Sequence, residues 1–270
     1  QYLHTVKMDR IELLALYDKE MRIEIEVPGV RKEMFPDLVR FIRPAPGMNY
    51  VSYSRLDENQ LDTSVQNQID FFSRMDQPFS WHVCDHDAPP GLMARLLAYG
   101  FAPDDDPDAV MVLDLHEAPT TLLEAAGDSV RRIERQEQLD DVARIEESVW
   151  VGDFSWLKGR LGPHLEIPGY LSVYLAYWEG QPACSGWIYF HPHSQFAGLF
   201  GGSTLAEYRN RGLYTAVLAV RAQEAAGRGC RFLVTGASPM SQPILAKNGF
   251  RLLTYSHSLV WKGEGGQPLP

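Results

Sequence analysis

Two arginines and a glycine stand where a strand-like segment gives way to a helix-like one. Residues 201–229 begin with small residues and end in an alanine-rich run, and Arg209, Arg211 and Gly212 lie at the change. A helix N-terminus leaves its first amides without intrahelical partners and carries a partial positive charge. The pattern therefore predicts an anion site, in which Gly212 lets the backbone approach closely and Thr215 adds a hydroxyl donor. A turn with solvated arginines is the alternative interpretation.

The elements around this loop predict a mixed α/β fold. A run of strands followed by a strand–helix–strand crossover indicates a mixed, mostly antiparallel central sheet flanked by helices. Helical spacing predicts helices over 139–150, 155–162, 212–226 and 241–247. Strand patterns cover 129–136, 171–180, 182–192, 196–205, 230–237 and 251–261.

The first half of the chain resembles the second in its pattern. A helix is predicted over 8–21, strands over 38–43, 49–55 and 110–115, and a linker over 116–121. A shift of 149 residues lays Gly100–Phe101 on Gly249–Phe250 and keeps helix on helix over about 45 positions, which favours duplication. At the loop, the shift pairs Gln60, Asp62 and Thr63 with Arg209, Arg211 and Gly212. A carboxylate and a β-branched residue disfavour a phosphate there.

Residues 129–262 resemble the GCN5-related N-acetyltransferase (GNAT) family. The family signature, (Arg/Gln)-x-x-Gly-x-(Gly/Ala), is matched here by Arg209-Asn210-Arg211-Gly212-Leu213-Tyr214. The resemblance implies an acyl-CoA N-acyltransferase-like fold built from two related units. We expect a degenerate unit over 1–118, an acetyltransferase domain over 119–262, and a flexible Gly/Pro-rich tail over 263–270.

The resemblance also implies acetyl-CoA as the co-substrate, without a metal. Loop amides at the matching positions grip the pyrophosphate, and the end of the preceding strand pairs with the pantetheine arm. The cofactor-binding residues implied are Ser203, Thr204, Leu205, Arg209, Asn210, Arg211, Gly212, Leu213, Tyr214, Thr215 and Ser238.

Three positions depart from the family pattern. Tyr214 replaces a small residue, Leu245 replaces the tyrosine that often serves as general acid, and Ser238 replaces an asparagine. Residues 196–203 contain no carboxylate that could act as a base.

The catalytic candidates are therefore Tyr255 and His257 on the closing strand, with Glu147 and Asp153 as further choices. Among them only His257 has an ordinary pKa near neutrality. A surface or hydrogen-bonded strand histidine is the alternative for His257, and core filling is the alternative for Tyr255.

Three aromatic residues could form an acceptor wall, namely Trp150, Phe154 and Trp156. Core packing is the alternative for them. The leading hypothesis is an acetyl-CoA-dependent N-acetyltransferase that acts on a small-molecule or peptide amine. A catalytically inactive CoA-binding sensor or scaffold is the second hypothesis, and an interaction module that has lost the ligand is the third.

Composition limits the partners. The net charge of −10 argues against a general nucleic-acid or anionic-membrane binder, and no apolar segment is long enough to span a bilayer. Three cysteines without a CxxC pair fit a reducing cytoplasm. A metal site at His82, Cys84 and His86 is a weaker alternative to ordinary strand residues. The sequence leaves open whether the protein is a homodimer.

Overall fold

Two compact units make up the part of the chain that the structure describes. The computed structural model describes residues 8–44, 47–124, 128–261 and 263. The C-terminal unit comprises Met111–Gly236 and Pro243–Arg251, and the N-terminal unit comprises the remaining described residues, including Ala237–Gln242. The tail predicted over 263–270 lies outside the described residues except for Gly263.

The N-terminal unit contains a sheet with helices packed on it. Its helices are α1 (Arg10–Tyr17), which continues into a π-helical turn (Asp18–Ile23), α2 (Leu61–Arg74) and α3 (Leu92–Ala98). Its strands are β1 (Arg31–Met34), β2 (Leu38–Ile42), β3 (Asn49–Ser54), β4 (Phe79–Cys84) and β5 (Phe101–Pro103). The order is β1-β2-β3-β4, in which only β3 and β4 run parallel.

The C-terminal unit contains sheet strands in the order β6-β11-β10-β9-β8-β7. The strands are β6 (Asp108–Asp114), β7 (Val130–Arg132), β8 (Leu171–Trp178), β9 (Gln181–Phe190), β10 (Phe196–Thr204) and β11 (Phe232–Ala237). The helices are α4 (Thr120–Leu123), α5 (Leu139–Trp150), α6 (Trp156–Leu165), α7 (Leu213–Gly227) and α8 (Gln242–Lys247). From β7 to β10 the neighbours are antiparallel, whereas β10 and β11 are parallel. The predicted mixed, mostly antiparallel class is confirmed.

The closing strand β12 (Arg251–Trp261) differs from the predicted arrangement. The sequence places it in the second unit, but nearly all of it lies in the N-terminal unit. There it pairs with β4, with Ser256 opposite Cys84, and with β5, with Leu259 opposite Pro103. The boundary after residue 118 and the degenerate character of the first unit stay predictions.

The order of elements repeats along the chain, as the shift of 149 residues predicts. The run β3-α2-β4-α3-β5 has the same sequence of types as β10-α7-β11-α8-β12. Both runs contain one parallel strand pair around the long helix. Gly100 and Gly249, which the shift superposes, have similar positive φ angles of 93° and 90°.

The predicted β8–β9 hairpin is confirmed, whereas three predicted element boundaries differ from those of the structure. Glu179 and Gly180 both have positive φ, which the tight turn of the predicted β8–β9 hairpin requires. The strand predicted over 129–136 is only Val130–Arg132, the predicted linker 116–121 contains the start of α4, and the first helix extends into the π-helical turn.

None of the described helices is both long enough and apolar enough to span a membrane.

Candidate functional site

A β-bulge interrupts the pairing of β9 with β10. Phe200 lies opposite Trp187 and Ser203 lies opposite Ser185, so three steps along β10 match two steps along β9. The extra residue falls at 201–202, where the sequence has two glycines. A bulge leaves one residue outside the strand ladder and bends the strand. This part of β10 therefore has backbone groups that the ladder does not use.

Glycine is required at both bulge positions. Gly201 has a φ of +61°, and a Cβ added there would overlap the indole ring of Trp187. A Cβ added to Gly202 would lie 2.7 Å from Cε2 of Tyr214. The two aromatic rings thus pack directly on the backbone of the bulge, where any side chain would displace them.

Helices α5 and α7 lie on opposite faces of the sheet at the bulge. On β9, the Ser185 hydroxyl bonds Glu146 of α5. A Cβ at the next residue, Gly186, would lie 2.8 Å from Val217 and 3.0 Å from Arg221, both on α7. Successive residues of a strand point to opposite faces, so the bulge has one helix above it and one below.

Glu146 binds both strands of the bulge from the α5 side. The residue is 2% exposed. One carboxylate oxygen accepts a hydrogen bond from Ser185 at 2.7 Å, and the other accepts one from Ser203 at 2.9 Å. The indole N–H of Trp150 donates to the same Ser203 hydroxyl at 3.0 Å. Burial raises the pKa of Glu146, although the hydrogen bonds from Ser185, Ser203 and Trp150 oppose that shift.

We expect the stability of the protein to depend on pH through Glu146. Because its folded pKa is raised above the ordinary value of 4.5, the folded state keeps the proton over a range where the unfolded state loses it. The stabilising contribution of Glu146 is therefore fully present below pH 4.5, and it is lost as the pH rises through the folded pKa of this carboxyl. The free energy of unfolding of the wild type should fall relative to Glu146→Gln by about 1.4 kcal/mol per pH unit within that window.

Denaturant unfolding between about pH 4 and pH 8 measures this difference. Glu147→Gln is the matched control, because Glu147 is the exposed neighbour of Glu146 on the same helix. Its curve should run parallel to that of the wild type. A constant difference between the wild type and Glu146→Gln at every pH would show that burial of the carboxyl does not shift its titration.

Arg221 binds the bulge from the α7 side. It is 2% exposed, and its guanidinium donates at 3.1 Å to the carbonyl oxygens of Trp187, Phe200 and Val217. None of the described carboxylates forms an ion pair with it, and burial lowers its pKa. Hydrogen bonds to three carbonyls thus replace a carboxylate partner, which is what a buried polar group requires. Glu146 and Arg221 therefore hold β9 and β10 together at the bulge, one from each face.

The loop after the bulge leads into the uncapped N-terminus of α7. A 3₁₀ turn at Ala206–Tyr208 is followed by Asn210 and Gly212, which have positive φ angles of 61° and 77°. Gly212 is the N-cap residue of α7, and among the residues that the structure describes no side chain caps the first-turn amides. A Cβ at Gly212 would meet no atom within 4 Å, so open space adjoins these amides. Uncapped amides beside open space can receive an anion.

Two arginines flank this helix start, as the sequence predicts. Arg209 donates from Nε to the carbonyl of Thr204 at 3.2 Å, which ties the loop back to the end of β10. The guanidinium of Arg211 lies over the ring of Trp178, 4.6 Å from its centroid. Both arginines are exposed, as are Asn210, Gly212 and Thr215, whereas Leu205 is half-buried. Leu213 is buried in the core with Val217.

The remaining predicted residues fall in two places. Trp150 is 52% and Trp156 40% exposed, so packing in the core does not account for them, while half-buried Phe154 contacts Trp156 with ring centroids 5.7 Å apart. Their role as an acceptor wall stays a prediction. Ser238 and the catalytic candidates Tyr255 and His257 lie in the N-terminal unit.

Of Ser238, Tyr255 and His257, Ser238 and His257 have polar side-chain partners. The Ser238 hydroxyl lies 3.3 Å from that of Ser241. Nε2 of His257 lies 2.8 Å from Oδ1 of Asp85, and the imidazole therefore has a carboxylate partner. The carbonyl of Tyr255 accepts the amide N–H of Asp85. The cofactor and catalytic roles of Ser238, Tyr255 and His257 stay predictions.

The weaker metal alternative at 82–86 is not supported by the positions of its residues. The ring of His82 stacks on Tyr50, and burial lowers its pKa to about 4. Cys84 is buried, and burial raises its pKa to about 12. His86 instead joins Asp18 and Asp87, whose ligand atoms and its own lie within 4.8 Å of one another.

A cation is already present in that cluster. The Arg22 guanidinium bonds Asp18 at 2.7 Å and Asp87 at 2.6 Å, and it is almost completely buried. Nε2 of His86 also bonds Asp18, at 2.9 Å. The cluster is therefore a charge-paired network centred on Arg22, which connects the π-helical turn with the end of β4.

Comparison with solved structures finds the same fold at low sequence identity. A GCN5-related N-acetyltransferase from Kribbella flavida has a TM-score of 0.68 and 15% identity, covering 87% of this chain and 91% of its own. A functionally unknown conserved protein from Staphylococcus epidermidis ATCC 12228 has a TM-score of 0.64 and 12% identity, covering 89% and 97%. A tandem GNAT protein from the clavulanic acid biosynthesis pathway has a TM-score of 0.60 and 14% identity, covering 90% and 86%. Protein-family models and curated proteins give no match. On this structural likeness, the chain has the fold of the GCN5-related N-acetyltransferases.

Proposed function

We propose that this protein is an acyl-CoA-dependent N-acyltransferase, with acetyl-CoA as the donor and a small-molecule or peptide amine as the acceptor. The observation that carries the proposal is the uncapped start of α7 next to the bulge in β10. First-turn amides, the open space at Gly212 and the flanking Arg209 and Arg211 fit a diphosphate. No metal is needed for this chemistry.

The bulge supplies donors for the acyl end of the same ligand. Ser203, Thr204 and Leu205 end β10 and enter the loop, so an extended arm bound along them would run from the diphosphate towards the bulge. We assign the backbone N–H groups at the break in the strand ladder to the thioester carbonyl, since fixed donors of this kind stabilise the oxyanion that forms. Glu146 and Arg221 fix the position of these donors before the ligand arrives.

The acceptor must attack as a neutral amine, because a lysine-type ammonium has a pKa near 10.4. His257 is chemically suited to remove the proton, since Asp85 can hold one ring nitrogen protonated and leave the other free to accept. Tyr255 is the second candidate from the sequence. Trp150, Phe154 and Trp156 are proposed to contact the acceptor. The exposed indole of Trp150 can attract its ammonium form by a cation–π interaction before the proton is removed, whereas the guanidinium of Arg160 already lies over the ring of Trp156.

Calorimetric titration with acetyl-CoA, followed by an assay of thiol release with a panel of amines, tests the proposal. Arg211→Glu should weaken acetyl-CoA binding about tenfold or more, because a cation beside the diphosphate becomes an anion. Arg144→Glu is the matched control, since it makes the same change of charge at an exposed position on α5. Equal affinity of the wild type and Arg211→Glu would refute the assignment of the diphosphate to this loop.

A CoA-binding sensor or scaffold without transfer activity is the second candidate function. One observation favours it, namely that Leu245, at the position of the family's frequent general-acid tyrosine, is 1% exposed in the core. Acetyl-CoA binding without thiol release for any small amine or peptide would support the sensor. Acceptor-dependent thiol release would support the transferase.

A further inference from the structure

We propose that Tyr214 is the proton donor to the departing thiolate. The inference rests on the proposed acyl transfer and adds to it a catalytic group at a position where a small residue is expected. Tyr214 is the second residue of α7, so its amide belongs to the diphosphate end of the proposed site. Its side chain reaches the other end, at the bulge.

The position of the phenol ring follows from its contact with Gly202. A Cβ at Gly202 would lie 2.7 Å from Cε2 and 3.4 Å from Cζ of Tyr214, and Cζ is the carbon that bears the hydroxyl. The ring edge therefore lies on the backbone of the bulge, next to the amides that we assign to the thioester carbonyl. The sulfur of a thioester is bonded to that carbonyl carbon, so a hydroxyl at the bulge lies near the leaving atom.

The hydroxyl of Tyr214 is available for this role. Tyr174 donates its hydroxyl to Glu224 at 2.8 Å, and the hydroxyl of Tyr189 bonds Nδ1 of His164 at 2.8 Å. In the part of the chain that the structure describes, no such partner is found for the Tyr214 hydroxyl. The ring is half-buried, and the hydroxyl is not among the buried polar atoms that lack a partner, so it is open to solvent and to a bound ligand.

The electrostatic surroundings suit a donor that is regenerated in each turnover. Burial raises the pKa of Tyr214, so the hydroxyl stays protonated at neutral pH. The buried guanidinium of Arg221 acts in the opposite direction and would stabilise a phenolate once the proton has left. A phenol is a weaker acid than a thiol, with reference pKa values of about 10 and 8.5, and burial widens that gap; stabilisation of the phenolate by Arg221 therefore has to assist the transfer as the carbon–sulfur bond breaks.

The step balances without a further reactant. The amine nitrogen forms a bond to the carbonyl carbon, the carbon–sulfur bond breaks, and the sulfur takes the proton from Tyr214. The proton that the amine loses returns to the phenolate through the base and solvent. The products are an amide and a free thiol.

Tyr214→Phe tests the inference, because it removes the hydroxyl and keeps the ring against the bulge. We expect kcat to fall about 100-fold, with the Kd for acetyl-CoA within about threefold of the wild type. The deficit should shrink with an acyl thioester of a more acidic thiol, whose leaving group does not need protonation. Tyr174→Phe, in the same unit but away from the bulge, is the control and should keep wild-type kcat.

The possible failures are distinguishable. A Tyr214→Phe variant whose kcat is within twofold of the wild type, or whose deficit is the same with an acidic thiol, overturns the role of Tyr214 and leaves the acyl transfer intact. A wild-type protein that binds acetyl-CoA and releases no thiol with any amine contradicts the proposed function, and the donor role with it.

Discussion

Gly201→Ala is expected to destabilise the protein by about 3 kcal/mol, the largest effect on folding among the substitutions considered. Backbone strain and a steric clash both contribute to the loss of stability at this position. A φ of +61° disfavours any residue with a Cβ, and the Cβ itself would overlap the Trp187 ring. Trp187 is 8% exposed and packs in the core with α5 and α6, so its ring has no free space to enter.

Gly180→Ala is the control that carries the backbone strain without the steric clash. Gly180 lies in the β8–β9 turn with a φ of +79°, and a Cβ there would meet nothing within 4 Å. It should lose only about 1 kcal/mol, the strain of the left-handed backbone conformation. Denaturant unfolding of the two variants gives the steric part by difference. Equal losses for both variants would mean that the bulge relaxes to accommodate a methyl group.

Local patterns in the sequence are enough to predict the strand end, the loop and the helix start around residues 205–212. A strand, two arginines, a glycine and an amphipathic helix follow one another within 30 residues or so, and each depends on neighbours along the chain. The structure has β10 end at Thr204 and α7 begin at Leu213, close to the predicted 205 and 212. The order of elements, and hence the fold, follows from the same local signals.

The two buried charges at the bulge are not among the predicted site residues, although the sequence carries a signal for them. Glu146 lies four residues after Val142 and falls on the buried stripe of α5. Arg221 likewise falls between Leu218 and Ala225 on the buried stripe of α7. A charge on an apolar stripe indicates a buried polar contact, but its partners lie on other elements. The serines and carbonyls that bind these charges are identified only once the strands are aligned.

Long-range pairing explains the other differences. The strand predicted over 251–261 is confirmed, and strand character of this kind is local. Their pairing with β4 and β5, more than 140 residues earlier, depends on which sheet edges the fold leaves free. The bulge also depends on long-range pairing. A pair of glycines in a strand indicates an irregularity, but it does not indicate which residues of the neighbouring strand lie opposite.

Gly212→Asp is expected to weaken acetyl-CoA binding about 100-fold while leaving the fold intact. Gly212 is the N-cap of α7, and aspartate is among the preferred residues at that position. Its carboxylate can accept hydrogen bonds from the amides of Tyr214 and Thr215, and aspartate tolerates the positive φ better than most residues. The free energy of unfolding should therefore stay within about 1 kcal/mol of the wild type. The same bonds occupy the donors that a diphosphate needs.

Repulsion adds to this competition. Two charges about 4 Å apart interact by about 1 kcal/mol in bulk water and about 4 kcal/mol near a protein surface, so a loss of roughly 100-fold is reasonable. Gly212→Ala introduces the backbone strain alone, and Gly212→Asn introduces a neutral cap. Calorimetric affinities should fall in the order Gly, Ala, Asn, Asp, and the gap between Asn and Asp should narrow at high salt because only that part is Coulombic. Equal affinities for Asn and Asp would mean that no anion sits at the start of α7, whatever else the protein binds.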